Sequence, residues 1–406
     1  MNRDEKVVIG LTGCSHALSH SYLLIFPTVL LLLQKEFSLG YLELGIIGNI
    51  MTLTYGLGAL PGGMIYNLFG PKRLYLFCFL GSSLALILVA ASSSLILLTV
   101  GLALLGAFGS IYHPLANALI TAKVREYGRV LGIHGAAGNV GLAIAPLAVG
   151  LIASYWGWRC AYVWFVFPGI VLSFWSVFVD MSPTEETRII KKSTSEQNPF
   201  WKRFKIYFSL PLVLLYLTNT MQNFCFTGSL TFLPTYMAKR TSFHLLSLDS
   251  VALGGMLSSI VLFIGVIGQF GGGLLSQKSH LEKKFLVVSA ISLPFILAMS
   301  FTTDLLLLTL AFIFFFFNFF LQPMNNTLLA RHTAVDMRGT AFGIYFFIAF
   351  GFGSLASSFS GYIAQKFGLQ WVFMGLSSSI ILLVFSAFLL QRVNPSTPQP
   401  SSQALD

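Results

Sequence analysis

The chain has 406 residues, of which 55% are hydrophobic and only 9% charged, and a formal net charge of +10 at pH 7. That leaves too little polar surface to clothe a soluble globule of this size, so much of the chain must face lipid. The basic excess calls for no nucleic-acid partner, because anionic lipid headgroups balance the same charge.

Apolar stretches long enough to cross a bilayer, about 20 residues each, start near Val7, Leu42, Leu74, Leu95, Arg129 and Ala161, then near Phe208, Ser250, Phe285, Asp304, Gly339 and Trp371. They predict an all-α membrane protein of twelve transmembrane helices, six per half. The first follows a short charged leader, Asn2 to Lys6, without a small-residue cleavage site, so it is expected to remain as a helix from about Val7 to Leu33. One bundle is expected over 1–181 and a second over 208–392. Residues 182–207 read as a polar cytoplasmic linker ending in an interfacial helix, where apolar and basic residues alternate from Phe200 to Lys205. Residues 393–406, rich in Pro and Ser, are expected to be disordered. Cys14, Cys78, Cys160 and Cys225 fall singly and read as small core residues; neither metal nor cofactor is expected.

The halves repeat one another. Gly128, Gly132, Gly150 and Gly157 are matched by Gly339, Gly343, Gly361 and Gly368 at an offset of 211, and His113-Pro114 and Asn117 meet Gln322-Pro323 and Asn326 at 209. A period of this length is far too long for a solenoid unit and implies two homologous halves facing each other, as in parallel-repeat transporters. When loops are numbered alternately, nineteen of the 24 Lys and Arg residues fall on the side of the N-terminus. The opposite side holds Lys35, Arg159, Lys239, Arg240 and Lys366. Positive charge marks the cytoplasmic side, so both termini are expected there.

The fifth span carries Gly132, Gly141, Ala145-Pro146 and Val149-Gly150, small residues that let helices approach closely around a proline. Their spacing resembles the antiporter motif of proton-coupled drug exporters in the major facilitator superfamily, with Ala145 and Val149 where that pattern has Gly. Between the second and third spans, Gly63, Asn67, Gly70 and Arg73 sit in a stretch that resembles the superfamily's cytoplasmic loop signature, with Asn67 in the usual Asp position. Asn hydrogen-bonds without charge, so any latch there is expected to be weaker. Ser15-His16, Ser19-His20, Gln34 to Leu39 and Tyr112-His113-Pro114 are similar to the fosmidomycin-resistance branch. Where that branch has an acid one turn after the first-helix His and a Glu after the His-Pro pair, this chain has His20 and Leu115. The resemblance implies two six-helix bundles about a midplane cavity, first and fourth helices of each half lining it, export rather than uptake, and a bacterial inner (plasma) membrane.

No carboxylate, lysine or arginine stands deep in any span, which leaves histidine. His16, His20, His113 and His134 fall within spans of the first half, where ionisable groups are costly enough to suggest function. His16 and His20 share one helix face. With an ordinary pKa near 6.5, an imidazole exchanges protons in the physiological range, so these four are the proton-coupling candidates. A role limited to tying helices together, or a metal chelated by the i, i+4 pair, are the alternatives. Asn117, Asn139, Gln222, Asn223, Asn318, Gln322, Asn325 and Asn326 are the candidates for orienting a substrate by hydrogen bonds. The phenylalanines from Phe314 to Phe320 cover every face of the tenth span and are assigned mainly to lipid contact. Pro27 and Pro234 are expected to bend cavity-lining helices.

The reading is a monomeric secondary transporter that exports a small amphiphilic compound, neutral or weakly anionic, in exchange for protons. Uptake of a metabolite or siderophore by proton symport uses the same residues and stays open, as does a non-transporting membrane receptor. An enzyme would need a catalytic carboxylate cluster, metal motif or activated nucleophile, and none is evident.

Overall fold

A computed structural model describes residues 1–124, 127–182, 205–243, 248–334 and 337–393; the side chains of 59–68, 127–129 and 339 are outside the description. The expected linker with its interfacial helix (183–204 of it) and the C-terminal tail (394–406) lie outside the described residues. The described chain is almost wholly α-helical. In order, the helices are α1 (Arg3–Phe37), α2 (Tyr41–Ala90), α3 (Leu95–Gly109), α4 (Tyr112–Lys123), α5 (Tyr127–Trp156), α6 (Trp158–Phe178), α7 (Leu210–Arg240), α8 (Ser250–Ser276), α9 (Leu281–Met299), α10 (Asp304–Arg331), α11 (Arg338–Gly353), α12 (Leu355–Phe367) and α13 (Val372–Val393). Among the described residues, nine segments are long and apolar enough to cross a membrane.

The expected boundaries shift where local chemistry decides. Arg3 to Lys6 of the charged stretch form the first turn of α1, with Asn2 as its cap. Asn2 accepts the Glu5 amide at 2.8 Å and Glu5 accepts the Asn2 amide at 2.9 Å, a capping box that satisfies two otherwise unpaired donors. The second and third spans, grouped here as α2, are two helices that meet with no loop between them at Gly70, whose φ of 75° lies in the region glycine enters freely. The fourth span divides into α3 and α4 at Ser110 and Ile111. Pro114 has no N–H to offer Ser110, and its ring crowds that carbonyl. By contrast, α1 and α7 run unbroken through Pro27 and Pro234.

The repeat is visible in the backbone. Gly157 and Gly368, 211 residues apart, both take positive φ, 85° and 105°, immediately after α5 and α12. Gly70 is echoed by His280 at an offset of 210, with a φ of 54°.

Large apolar side chains on the outer surface, such as Ile96, Phe167, Phe178 and Phe270, are 70–86% exposed. Water would not tolerate them in such number, and hydrocarbon does. The tenth-span phenylalanines correct the sequence reading: Phe314, Phe315 and Phe319 are buried, and Phe316, Phe317 and Phe320 partly so. Phe315 meets Phe226 of α7 and Phe317 meets Phe295 of α9, while Phe319 and Phe320 are covered by the glycine row of α8. A side-chain carbon on Gly265 would lie 2.7 Å from the Phe319 ring, and one on Gly268 2.7 Å from the Phe316 carbonyl, so α8 and α10 touch through bare backbone and ring. Cys14 likewise departs from a core role and is exposed, whereas Cys78 and Cys225 are buried.

Helices α1–α6 meet α7–α13 mainly toward the end opposite the N-terminus. Gly45 lies against the Ser357 carbonyl, Gly361 against the Tyr41 carbonyl, and Gly255 against the Pro146 carbonyl. The Tyr41 amide donates to Gln365 at 2.7 Å and the Leu147 amide to Ser259 at 2.8 Å. Midway along, Gly56 meets Phe350 and Asn139 donates to the Gly265 carbonyl at 3.5 Å. Nearer the N-terminal face, a side-chain carbon on Gly135 would still lie 3.6 Å from Gln269, whereas one on Gly132, Gly273 or Gly343 would meet no atom within 4 Å. The closest approaches between the halves thus fall at the far end, where backbone meets backbone.

Candidate functional site

The site is built where α1, α4 and α5 converge. Gly141 lies against the Ala17 backbone, and a side-chain carbon on Gly138 would fall 2.6 Å from the His16 ring. Two glycines thus bring α5 onto α1 closely enough for imidazoles on both to touch. The break before α4 places Tyr112 and His113 beside them, with the Tyr112 hydroxyl donating to the Thr12 carbonyl.

All four histidines come together. The His16 ring stacks on His134 at 4.0 Å between centroids and stands edge-on to His113 at 5.0 Å and near edge-on to His20 at 4.6 Å. His113 and His20 are 5.4 Å apart. Tyr112 flanks His16 and His134, and Tyr55 of α2 stands edge-on to both His113 and Phe350 of α11, so the cluster reaches the boundary with the second half. His16 and His134 are buried; His20 and His113 are half-buried.

Hydrogen-bond direction within the cluster follows from chemistry. His16 Nδ1 lies 2.6 Å from the His134 carbonyl, which only accepts, so Nδ1 carries the hydrogen. In neutral His16 that leaves Nε2 as a bare lone pair, and His20 Nε2, 2.9 Å away, donates to it. Neutral His20 then holds its own lone pair on Nδ1, a buried atom with no partner among the described residues. Both ring nitrogens of His134 are likewise unpartnered.

Ring nitrogens of His16, His20 and His113 all lie within 4.8 Å of one another, close enough to consider one bridging ion. Tetrahedral coordination at about 2.0–2.1 Å separates ligand nitrogens by about 3.3 Å. The His16–His20 separation of 2.9 Å is that of a shared hydrogen, so this arrangement suits a proton better than an ion.

The amide candidates divide. Gln222 donates to the Asn318 carbonyl at 2.8 Å, Asn325 donates to Gln222 at 3.5 Å, and Thr218 donates to Asn325 at 3.2 Å, binding α7 to α10. The Asn318 side-chain nitrogen has no partner among the described residues. Asn223 accepts from Thr227 and abuts Gly353. Asn139 ties α5 to α8. Asn117 and Gln322 are exposed and Asn326 half-buried, with Gln322 accepting from Gln269 of α8. Of the motif residues, Gly63 and Asn67 lie on α2 with side chains outside the description, and Arg73 is exposed. Gly141, Pro146 and Gly150 pack closely, whereas Gly132, expected to do the same, faces open space. Sequence reading passed over Gly138, Tyr55 and Thr12. Gly138 stands one turn after His134 on the same helix face, a signal that was available.

A repeated chain, helical through nearly all its described residues, with lipid-exposed flanks and a polar, ionisable cluster in its first half beside the boundary with the second, defines a membrane transporter. The chain belongs to the Major Facilitator Superfamily, whose family model matches residues 10–358. It is 26% identical to the probable sulfoacetate transporter of Cupriavidus necator over 383 residues, 83% of this chain and 82% of that protein. It is 24% identical to the fosmidomycin resistance protein of Escherichia coli K12 over 381 residues, 90% of this chain and 88% of that one. In fold it is similar to a bacterial homolog of the human lysosomal transporter Spinster, solved in an inward-facing and occupied conformation, with a TM-score of 0.79, 15% identity and coverage of 98% and 100%.

Proposed function

We propose that this protein is a proton-coupled exporter that moves a small amphiphilic compound, neutral or weakly anionic, by alternating access. The observation that carries the reading is the directional chain from His20 Nε2 through His16 to the His134 carbonyl, which leaves His20 Nδ1 as the atom of that chain that takes a proton. A proton there makes His20 a cation whose ring neighbours among the described residues are the imidazoles of His16 and His113, with His134 stacked behind His16. Such a charge is costly in the membrane, so its arrival favours a state in which water or an anionic group reaches the cluster. Deprotonation reverses that bias.

One proton falling through about 100 mV releases about 2.3 kcal/mol, roughly fifty-fold in solute gradient. One site therefore suffices. The solute would lie between the halves, met by Asn117, Asn326, Gln322 and the free amide of Asn318. The basic N-terminal face is assigned to the cytoplasm of a bacterial inner membrane, and the chain works as a monomer of twelve spans in two bundles, 1–181 and 208–392.

Similarity to a transporter named for sulfoacetate supports a second reading, proton symport into the cell. Cells expressing the protein and given sulfoacetate or fosmidomycin separate the two. Export gives lower internal solute that rises when an uncoupler is added; uptake gives the opposite sign; no change with any solute of a wider panel overturns both.

A further inference from the structure

We propose that the groove between α8 and α9, at the N-terminal face of the second half, is a binding site for one anionic glycerophospholipid. Consecutive in sequence, these two helices each pack on α10, leaving a cavity of about 480 Å³ lined by Leu275, His280, Lys283, Lys284, Val287 and Val288.

Its chemistry changes with depth. At the mouth, Lys283 and Lys284 set two ammonium groups against one nearby carboxylate, Glu282, which is paired with His332 at 3.3 Å, so the rim keeps a net positive charge. Below the mouth the walls are apolar. Lys283, Val287 and Ile291 recur every four residues along one stripe of α9, with Val287 and Ile291 47% and 42% exposed. On α8, Leu275 is continued by Ile267 two turns down, 56% exposed. From Lys283 to Ile291 the stripe runs about 12 Å at 1.5 Å per residue, a length along which an acyl chain can lie.

A cationic mouth over an apolar channel, on the face richest in Lys and Arg, matches a phosphate headgroup with its chain directed into the bilayer. A soluble phosphate would use the mouth and leave the channel empty. A zwitterionic lipid would use the channel, but its own cation would oppose the two lysines. The occupant is therefore a lipid of net negative charge.

The test is native mass spectrometry of the full-length protein released from nanodiscs holding equal amounts of phosphatidylglycerol and phosphatidylcholine with the same acyl chains. The wild-type chain should retain one phosphatidylglycerol in preference to phosphatidylcholine by roughly ten- to thirtyfold, the factor two lysines near a lipid surface supply. Lys283→Gln/Lys284→Gln, changes at an exposed rim that leave the fold intact, should retain the two lipids equally. Added glycerol 3-phosphate should not displace the lipid at millimolar concentration; if it does, the site belongs to soluble phosphates. Equal retention by the wild type, or a preference unaltered in the double variant, overturns the proposal. None of these readouts depends on transport.

Discussion

His20 sets its Nε2 2.9 Å from Nε2 of His16, one turn earlier on α1, and the His134 carbonyl on the far side of the His16 ring fixes which of the two donates. This relationship makes His16 a relay with a set tautomer and His20 the end of the chain. The two residues are therefore not interchangeable, although they share a helix face.

Gly138→Ala should separate the relay from the fold. The added methyl would lie 2.6 Å from His16 Cε1 and push the ring off the His134 carbonyl. Overpacking of this kind costs about 1–3 kcal/mol, which a protein of this size survives. Proton-driven transport is expected to fall at least about tenfold while the protein still purifies as a folded monomer. Full activity would show that the hydrogen bond is dispensable.

The far-end seal depends on bare backbone. Gly45→Ala would place a methyl against the Ser357 carbonyl, which cannot rotate away as a side chain can. The variant is expected to hold the far end open. A reporter cysteine substituted for Thr231, now buried, should then react with an impermeant maleimide several-fold faster, with transport slowed. An unchanged labelling rate would contradict this.

At the same end, Glu36 accepts the Trp158 indole N–H at 2.5 Å and pairs with Arg159 at 2.7 Å, and Arg159 also donates to the Ser92 carbonyl. One of the few basic residues on that face is thereby neutralised. Glu36→Gln keeps the size and loses the charge. Because the pair is partly exposed, thermal denaturation should show a loss of only about 1 kcal/mol.

Asp180, just beyond α6, accepts from Lys123 and from the Ser182 amide, and these hold its carboxyl well below the usual carboxylate value of 3.8. A depressed folded-state pKa contributes stability above the unfolded value, lost as pH falls through the folded one. Asp180→Asn should therefore cost a few tenths of a kcal/mol at neutral pH, and the difference from wild type should vanish on acidification below the ordinary carboxylate range. A difference that persisted in acid would point to packing rather than charge.

The helical architecture was legible because length and apolar run are enough to mark a span, and the repeat because two halves of one fold need the same backbone exceptions; Gly157 and Gly368 both take positive φ after corresponding helices. The start of α1 was misread because charged Arg3, Asp4 and Glu5 look like a leader until the Asn2–Glu5 cap is seen. Phe314 to Phe320 were misassigned because a run without periodicity carries no facial information, and their burial is decided by partners on three other helices, α7, α8 and α9. The histidines could be picked out one by one, since each is costly in lipid. Their order could not, because it depends on a backbone carbonyl of α5 that no sequence pattern reports.

Nitrogen-15 NMR of the histidine rings in bilayers, assigned through single His→Gln variants, tests that order most directly and needs no solute. At neutral pH, His16 should be protonated at Nδ1 and His20 at Nε2, and on acidification the first proton should arrive at His20 Nδ1. A neutral His20 carrying its hydrogen on Nδ1, or a first proton arriving at His16, His113 or His134, would contradict the mechanism.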